Sequence, residues 1–280
     1  MSVLSSKRNQ IANLDLLQFT QGLAWDKQLA AYEIAVQKAW AKALNRIGVL
    51  TAKELEQFHQ AMMMATNDMA AGTFPWQVEN EDVHMNLEAY VTDKFGSLGK
   101  KVHLGRSRND LIATTLRLYA ADQCQTIVGQ VHQLTETLLD QAEQQIDLIM
   151  PGMTHLQNGQ PVRVGHVLGA YAAMLVRDSK RFAAIYDECL WALPLGSAAF
   201  AGTSLPMDLE ALARDLGFDR STLNSYDAVS DRDFLVSLLQ GFNLLNAHLA
   251  RLMEDIIYWA SAPVGLIQLP ADWSTGSSIM

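Results

Sequence analysis

The chain has 280 residues, of which 49% are hydrophobic and 18% charged, and its formal net charge is −9. That apolar fraction and length suffice for a substantial buried core, which excludes an intrinsically disordered chain. The acidic balance excludes broad electrostatic attraction to nucleic acid or an anionic membrane, while leaving room for a local basic pocket that takes a small anion.

The N-terminal stretch MSVLSSKRNQIANLDL has no continuous apolar h-region and no cleavage-like site. No segment approaches the run of about 18 apolar residues that a membrane span needs. A cytoplasmic protein is therefore expected. Cys124 and Cys189, the only cysteines, sit within apolar helical patterns and read as small core residues, which fits a reducing compartment. Shorter helices are predicted around 26–46, 52–71 and 80–95, with a break at Gly72-Thr73-Phe74-Pro75. From Arg106 to Met150 there is no proline and a single glycine, Gly129, while apolar residues recur at helical spacing through Leu116, Ile127, Val131, Leu134 and Leu138. A helix of that size is roughly 60 Å long. Val162–Leu193 and Ala228–Ala262 behave alike and are flanked by prolines. No sustained strand alternation, internal repeat or low-complexity tract interrupts this pattern. The predicted fold is all-α: an elongated long-helix bundle over 106–280, preceded by a smaller helical domain over 1–105.

Polar residues gathered in the loops of a helical scaffold are the first candidates for chemistry. KVHLGRSRND (101–110) sets two arginines, Ser107 and Asn109 where the longest helix begins, an arrangement that suits an anion as well as it suits a simple helix cap. MPGMTHLQNGQPVRVGH (150–166) surrounds His155 with Thr154, Gln157, Asn158 and Gln160, whereas His166 falls in the next helix and is assigned to packing. LPLGSAAFAGTSLPMD (193–208) reads by itself as a connector whose small residues permit close approach. In EDVHMNLEAYV (81–91) His84 and Glu88 share a helical face, and alone the pair reads as a surface contact. DWSTGSSIM (272–280) carries Ser277 and Ser278 with no activating neighbour inside the segment. No GxSxG, GxxxxGK[ST], HExxH or CxxC pattern supports a hydrolase of known motif, a nucleotide site or a metal enzyme.

Taken together, EDVHMNLE, HLGRSRND, MPGMTHLQNGQP, LPLGSAAFAGTSLPMD, NSYDAVSDRDF (224–234) and STGSSIM resemble the argininosuccinate lyase family of the fumarase/aspartase superfamily, in its order and spacing. The resemblance covers nearly the whole chain. It implies reversible cleavage of argininosuccinate to fumarate and arginine, with no metal or organic cofactor, by a homotetramer whose active sites combine loops from three subunits. It further implies Ser277 as base, His155 as acid or its relay, and Asn109 and Thr154 as substrate-binding positions. Asp26 in GLAWDKQL (22–29) is implied to hold the arginine end, and His84 to be a further active-site histidine. Ser107, Arg108 and Gln157 complete the expected substrate-binding set as donors for the dianionic half. The chain departs from the family pattern in three places. SSKRNQIANLDL stands where a WGGRF stretch is usual, Gly22 stands where a serine precedes Asp26 by four residues, and the family's continuation after GSSxM lies outside this sequence. The chain is thus expected to represent the N-terminal portion of such an enzyme and to be incomplete for activity alone. Two other readings fit the same residues: a related lyase acting on another N-substituted succinate, and an inactive fragment or structural relative.

Overall fold

The structure is a computed structural model and describes residue 19 and residues 21–279. SSKRNQIANLDL and Met280 lie outside the described residues. In chain order the helices are α1 (Leu23–Asp26), α2 (Ala30–Arg46), α3 (Ala52–Ala70), α4 (Val83–Phe95), α5 (Leu98–Val102) and α6 (Arg108–Gln144). A hairpin of β1 (Ile149–Thr154) and β2 (Gln157–Arg163) follows, then α7 (Val164–Leu190), α8 (Leu209–Leu216), α9 (Ser225–Ser230) and α10 (Asp233–Ala260). The all-α expectation holds, with the three long helices at the predicted places. The one departure is the 150–166 segment, expected as a loop, which pairs as an antiparallel hairpin. Its strands alternate little because most of β2 faces solvent, so no hydrophobic period betrays it.

By compactness the described residues divide into two units, one reaching Ala121 and including Cys189–Arg232, the other made of Asp122–Glu188 and the residues from Asp233 onward. The boundary expected near residue 105 falls inside the first unit. There, α2 buries a stripe at helical spacing, Ala30, Ile34, Trp40, Ala41 and Leu44, against Phe58 and Met62 of α3, Leu87 of α4, and Leu193 and Leu212. Glu33 and Gln37 lie on the same buried stripe. Three helices of this unit begin on a side-chain cap as follows. Thr51 and Glu54 form a reciprocal capping box on α3, Asp82 accepts from the Met85 N–H at 2.8 Å on α4, and Asn224 caps α9.

The second unit holds the rest of α6 with α7 and α10. Side-chain pairs fix their directions. Tyr171 meets Asp255, Asp178 meets His248 at 2.6 Å, Gly241 faces Phe182 and Ile185, and Glu188 meets Ser237 at 3.2 Å. One index falls as the other rises, so α7 and α10 run antiparallel. Gly241 sits where a Cβ would lie 3.0 Å from Ile185 Cδ1, so the helices approach closely at that point. Phe182, Phe234, Leu175 and Leu245 are buried in this unit together with Cys124, and Cys189 is buried in the first.

Candidate active site

The hairpin turn consists of His155 and Leu156, flanked by the paired Thr154 and Gln157. Both turn residues have positive φ, 53° and 59°. Two-residue hairpin loops require this conformation because its twist matches the flanking strands, yet glycine, asparagine and aspartate are the residues that adopt it cheaply. A histidine and a leucine there are held in a strained backbone, with both side chains exposed. One residue beyond the regular register, at the break between Gly152 and Met153, Gly159 forms a bulge in β2. The hairpin and the end of α10 line a groove of about 1160 Å³, with Thr154, His155, Val167, Asp255, Tyr258 and Trp259 on its walls. At this groove the Tyr171 hydroxyl donates to Asp255, and burial together with that carboxylate pushes the phenol pKa upward. Ser277 lies in the exposed terminal segment and is not among the residues lining the groove; its Oγ accepts from the Ile279 N–H at 3.4 Å.

In the first unit, the structure gathers Asp26, His84 and Arg108 around a set of buried charges. His84 on α4 is 1% exposed, so the surface contact expected for it is corrected to a core position. Its Nδ1 lies 3.2 Å from Glu33 Oε1 on α2, and its Nε2 lies 3.3 Å from His103 Nδ1. His103 Nδ1 stands 3.1 Å from Glu88 Oε2. Burial, then the charges of Arg106 and His103, depresses the His84 pKa to about 3, while burial raises Glu33 to about 7. The Glu33–His84 contact is therefore a hydrogen bond to a neutral imidazole rather than an ion pair. Arg108 Nη1 reaches both Glu81 Oε2 and Asp82 Oδ2 at 3.2 Å. Burial, followed by Asp82 and Glu33, raises the pKa of Asp26. A Cβ at Gly22 would lie 2.7 Å from Asp26 Oδ2, so a serine there would force that carboxylate aside.

Asp110 joins two of the motifs. It is fully buried, and its Oδ1 accepts from the Ser107 N–H at 3.0 Å. Its Oδ2 accepts from the N–H groups of Gly196 at 3.0 Å and Ala198 at 2.8 Å. Gly196 adopts φ +102°, which only glycine takes without strain. Ser107 Oγ accepts from the Asn109 N–H at 3.3 Å and the Asn109 side-chain amide donates to Ala199 O at 3.0 Å, so both residues serve the helix start and the adjoining loop. Arg106 is buried with Nε and Nη1 unsatisfied within the protein, two donors aimed at no protein acceptor.

Sequence reasoning missed Glu33, Gln37, His103, Arg106 and Asp110 as partners. The available signal was Glu33 and Gln37 breaking an otherwise apolar helical stripe, where a charge is rare unless paired. Glu33 also gives a stability prediction. Its folded-state pKa, about 7, exceeds the unfolded value of 4.5, so the folded chain binds more protons between those values and loses stability as pH rises through them. In the Glu33→Gln variant that loss disappears, so the variant gains on the parent by roughly 2–3 kcal/mol between pH 4 and pH 8. Urea unfolding of both proteins across this range checks the result. A difference that stays flat with pH would refute it.

A protein-family profile described as Lyase matches residues 14–280. The argininosuccinate lyase of Thioalkalivibrio sulfidiphilus is 45% identical over 262 residues, 94% of this chain and 56% of that relative, and that of Pseudomonas fluorescens is 44% identical over 263 residues with the same coverage. The chain thus spans 56% of the length of these curated relatives. An EDDS lyase variant solved with bound fumarate shares 27% identity and superposes with a TM-score of 0.79, covering 91% of this chain and 50% of that one. With the profile matched across almost its whole length and the helical fold shared, this chain belongs to the lyase family of the fumarase/aspartase superfamily.

Proposed function

We propose that the protein of which this chain is part cleaves argininosuccinate reversibly to fumarate and arginine. The observation that carries this reading is the hairpin tip, where the motif histidine is held at positive φ above a groove with Thr154 beside it. Backbone strain of this kind persists where the surrounding structure enforces it and gathers at functional sites. The reaction removes the proton from the carbon next to a carboxylate, then expels the guanidinium group as the double bond of fumarate forms. In this scheme Ser277 takes the proton and His155 delivers or relays one to the leaving nitrogen. Asn109, Ser107, Arg108, Thr154 and Gln157 supply donors to the two carboxylates, whose charge grows in the carbanion-like intermediate. Asp26 receives the guanidinium end, and His84 is a further active-site histidine. No metal or organic cofactor enters the scheme.

These groups come from different loops, and a homotetramer that completes each site with loops of neighbouring subunits is part of the proposal. Val236, Leu239, Met253 and Ile257 on α10 are exposed apolar side chains that such an assembly would cover. Among the described residues no helix is long and apolar enough to cross a membrane, and a cytoplasmic location accords with the proposed metabolic role. The test is ultraviolet detection of fumarate with argininosuccinate and other N-substituted succinates as alternative substrates, run on this chain and on one extended to the length of its relatives. Turnover of argininosuccinate in the extended protein is expected. Turnover of the other succinates alone would refute the substrate assignment.

A further inference from the structure

Glu88, His84 and His103 each offer one ligand atom, and the three lie within 4.8 Å of one another. The distances are 3.1 Å from Glu88 Oε2 to His103 Nδ1, 3.3 Å from His84 Nε2 to His103 Nδ1, and 3.7 Å from His84 Nε2 to Glu88 Oε2. A tetrahedral ion about 2.0–2.1 Å from its nitrogen and oxygen ligands spaces them about 3.3–3.4 Å apart. The triangle thus has the dimensions of one face of such a site. We propose that these three side chains bind a divalent transition-metal ion of the zinc or cobalt type.

The surroundings argue for the same ligand. His84 is a fixed ligand, since its other ring nitrogen meets the Glu33 carboxyl, whose own oxygen accepts from Gln37 Nε2 at 2.8 Å. A carboxyl group behind a histidine is the usual outer support of a metal-bound imidazole, setting its tautomer and orientation. His103 and Glu88 keep side-chain exposures of 40% and 23%, which leaves a route for the ion and a solvent-facing fourth position. The buried Arg106 opposes a cation, and the carboxyl groups of Glu88, Asp82 and Glu33 stand against it. On binding, the proton that His103 Nδ1 shares inside the triangle leaves that nitrogen, either to its other ring nitrogen or to solvent. No bond within the protein breaks. With a nitrogen–nitrogen–oxygen donor set, zinc and cobalt are favoured over magnesium or calcium.

Binding does not depend on the argininosuccinate reading. The consequence for activity does: an ion here occupies His84 and inhibits the proposed enzyme. The experiment titrates Co²⁺ into the metal-free chain and follows the intense visible absorption of four-coordinate cobalt, with Zn²⁺ competition giving the zinc affinity. One ion per chain with that spectrum is expected, displaced by zinc. His103→Ala, at a half-exposed position, should weaken binding about tenfold or more, and Glu88→Gln should do the same. His59→Ala, on α3 and outside the triangle, should leave affinity unchanged. The absence of a four-coordinate spectrum, or a His103→Ala protein that titrates like the parent, overturns the site.

Discussion

In the protein extended to the length of its relatives, the proposed function predicts that replacing His155 with asparagine lowers kcat for argininosuccinate cleavage by about 10²–10⁴-fold without lowering the unfolding temperature. Asparagine tolerates the left-handed backbone that residue 155 adopts, so the turn survives while the imidazole is removed. Leu156→Gly serves as the counterpart. It should relieve the second positive φ, stabilise the hairpin by about 1 kcal/mol, and leave kcat close to that of the parent. Steady-state kinetics and thermal melts of the two variants decide between a catalytic imidazole and a hairpin that merely needs its shape. If His155→Asn keeps kcat within a few-fold, the imidazole has no chemical role. If Leu156→Gly proves as damaging as His155→Asn, backbone geometry is the controlling factor.

The second large effect belongs to Asp110. Asp110→Ala leaves three main-chain N–H groups, those of Ser107, Gly196 and Ala198, without their acceptor in the interior. It also withdraws a negative charge that supports the buried Arg106. Loss of one partner from a buried charged network costs about 3–5 kcal/mol. Asp110→Asn keeps the shape but turns one acceptor oxygen into a donor facing N–H groups, and should fall between alanine and the parent. Burial raises the Asp110 pKa despite the three N–H groups that pull it down, so the carboxylate is a costly way to hold the loop. Its benefit lies in geometry. Urea denaturation measures the loss, and a change under about 1 kcal/mol for alanine would show that the loop is held by other contacts.

The long helices were legible because each carries an unbroken apolar period between prolines, and α6, α7 and α10 appear where that period predicts them. Hydrophobic period could not reveal the hairpin, since β2 presents six exposed residues out of seven and its register contains a bulge. Its motif exposed the same segment as polar and histidine-bearing, so the chemistry was visible where the backbone was not. The environment of His84 was hidden for a different reason. Spacing on α4 pairs it with Glu88, but its burial is set by Glu33 on α2, 51 positions away, and by His103 beyond the end of α5. Local sequence carries no record of such distant neighbours. By sequence Ser107 and Asn109 suit a cap and an anion site equally, and in the structure both make cap or loop hydrogen bonds. In sequence Arg106 is only a member of its motif; that it is buried with unsatisfied donors follows from packing that no periodicity encodes.

Leu193 and Leu195 root the 193–208 segment in the core, and its exposed middle is held through the main chain. Asp110 reads the N–H groups of Gly196 and Ala198, Asn109 reads the carbonyl of Ala199, and the Ser225 hydroxyl donates to the carbonyl of Phe200 at 2.8 Å. None of these contacts depends on which side chain stands at 199, 200 or 201, all of which are exposed. That surface can therefore change its side chains while the position of its main chain stays fixed.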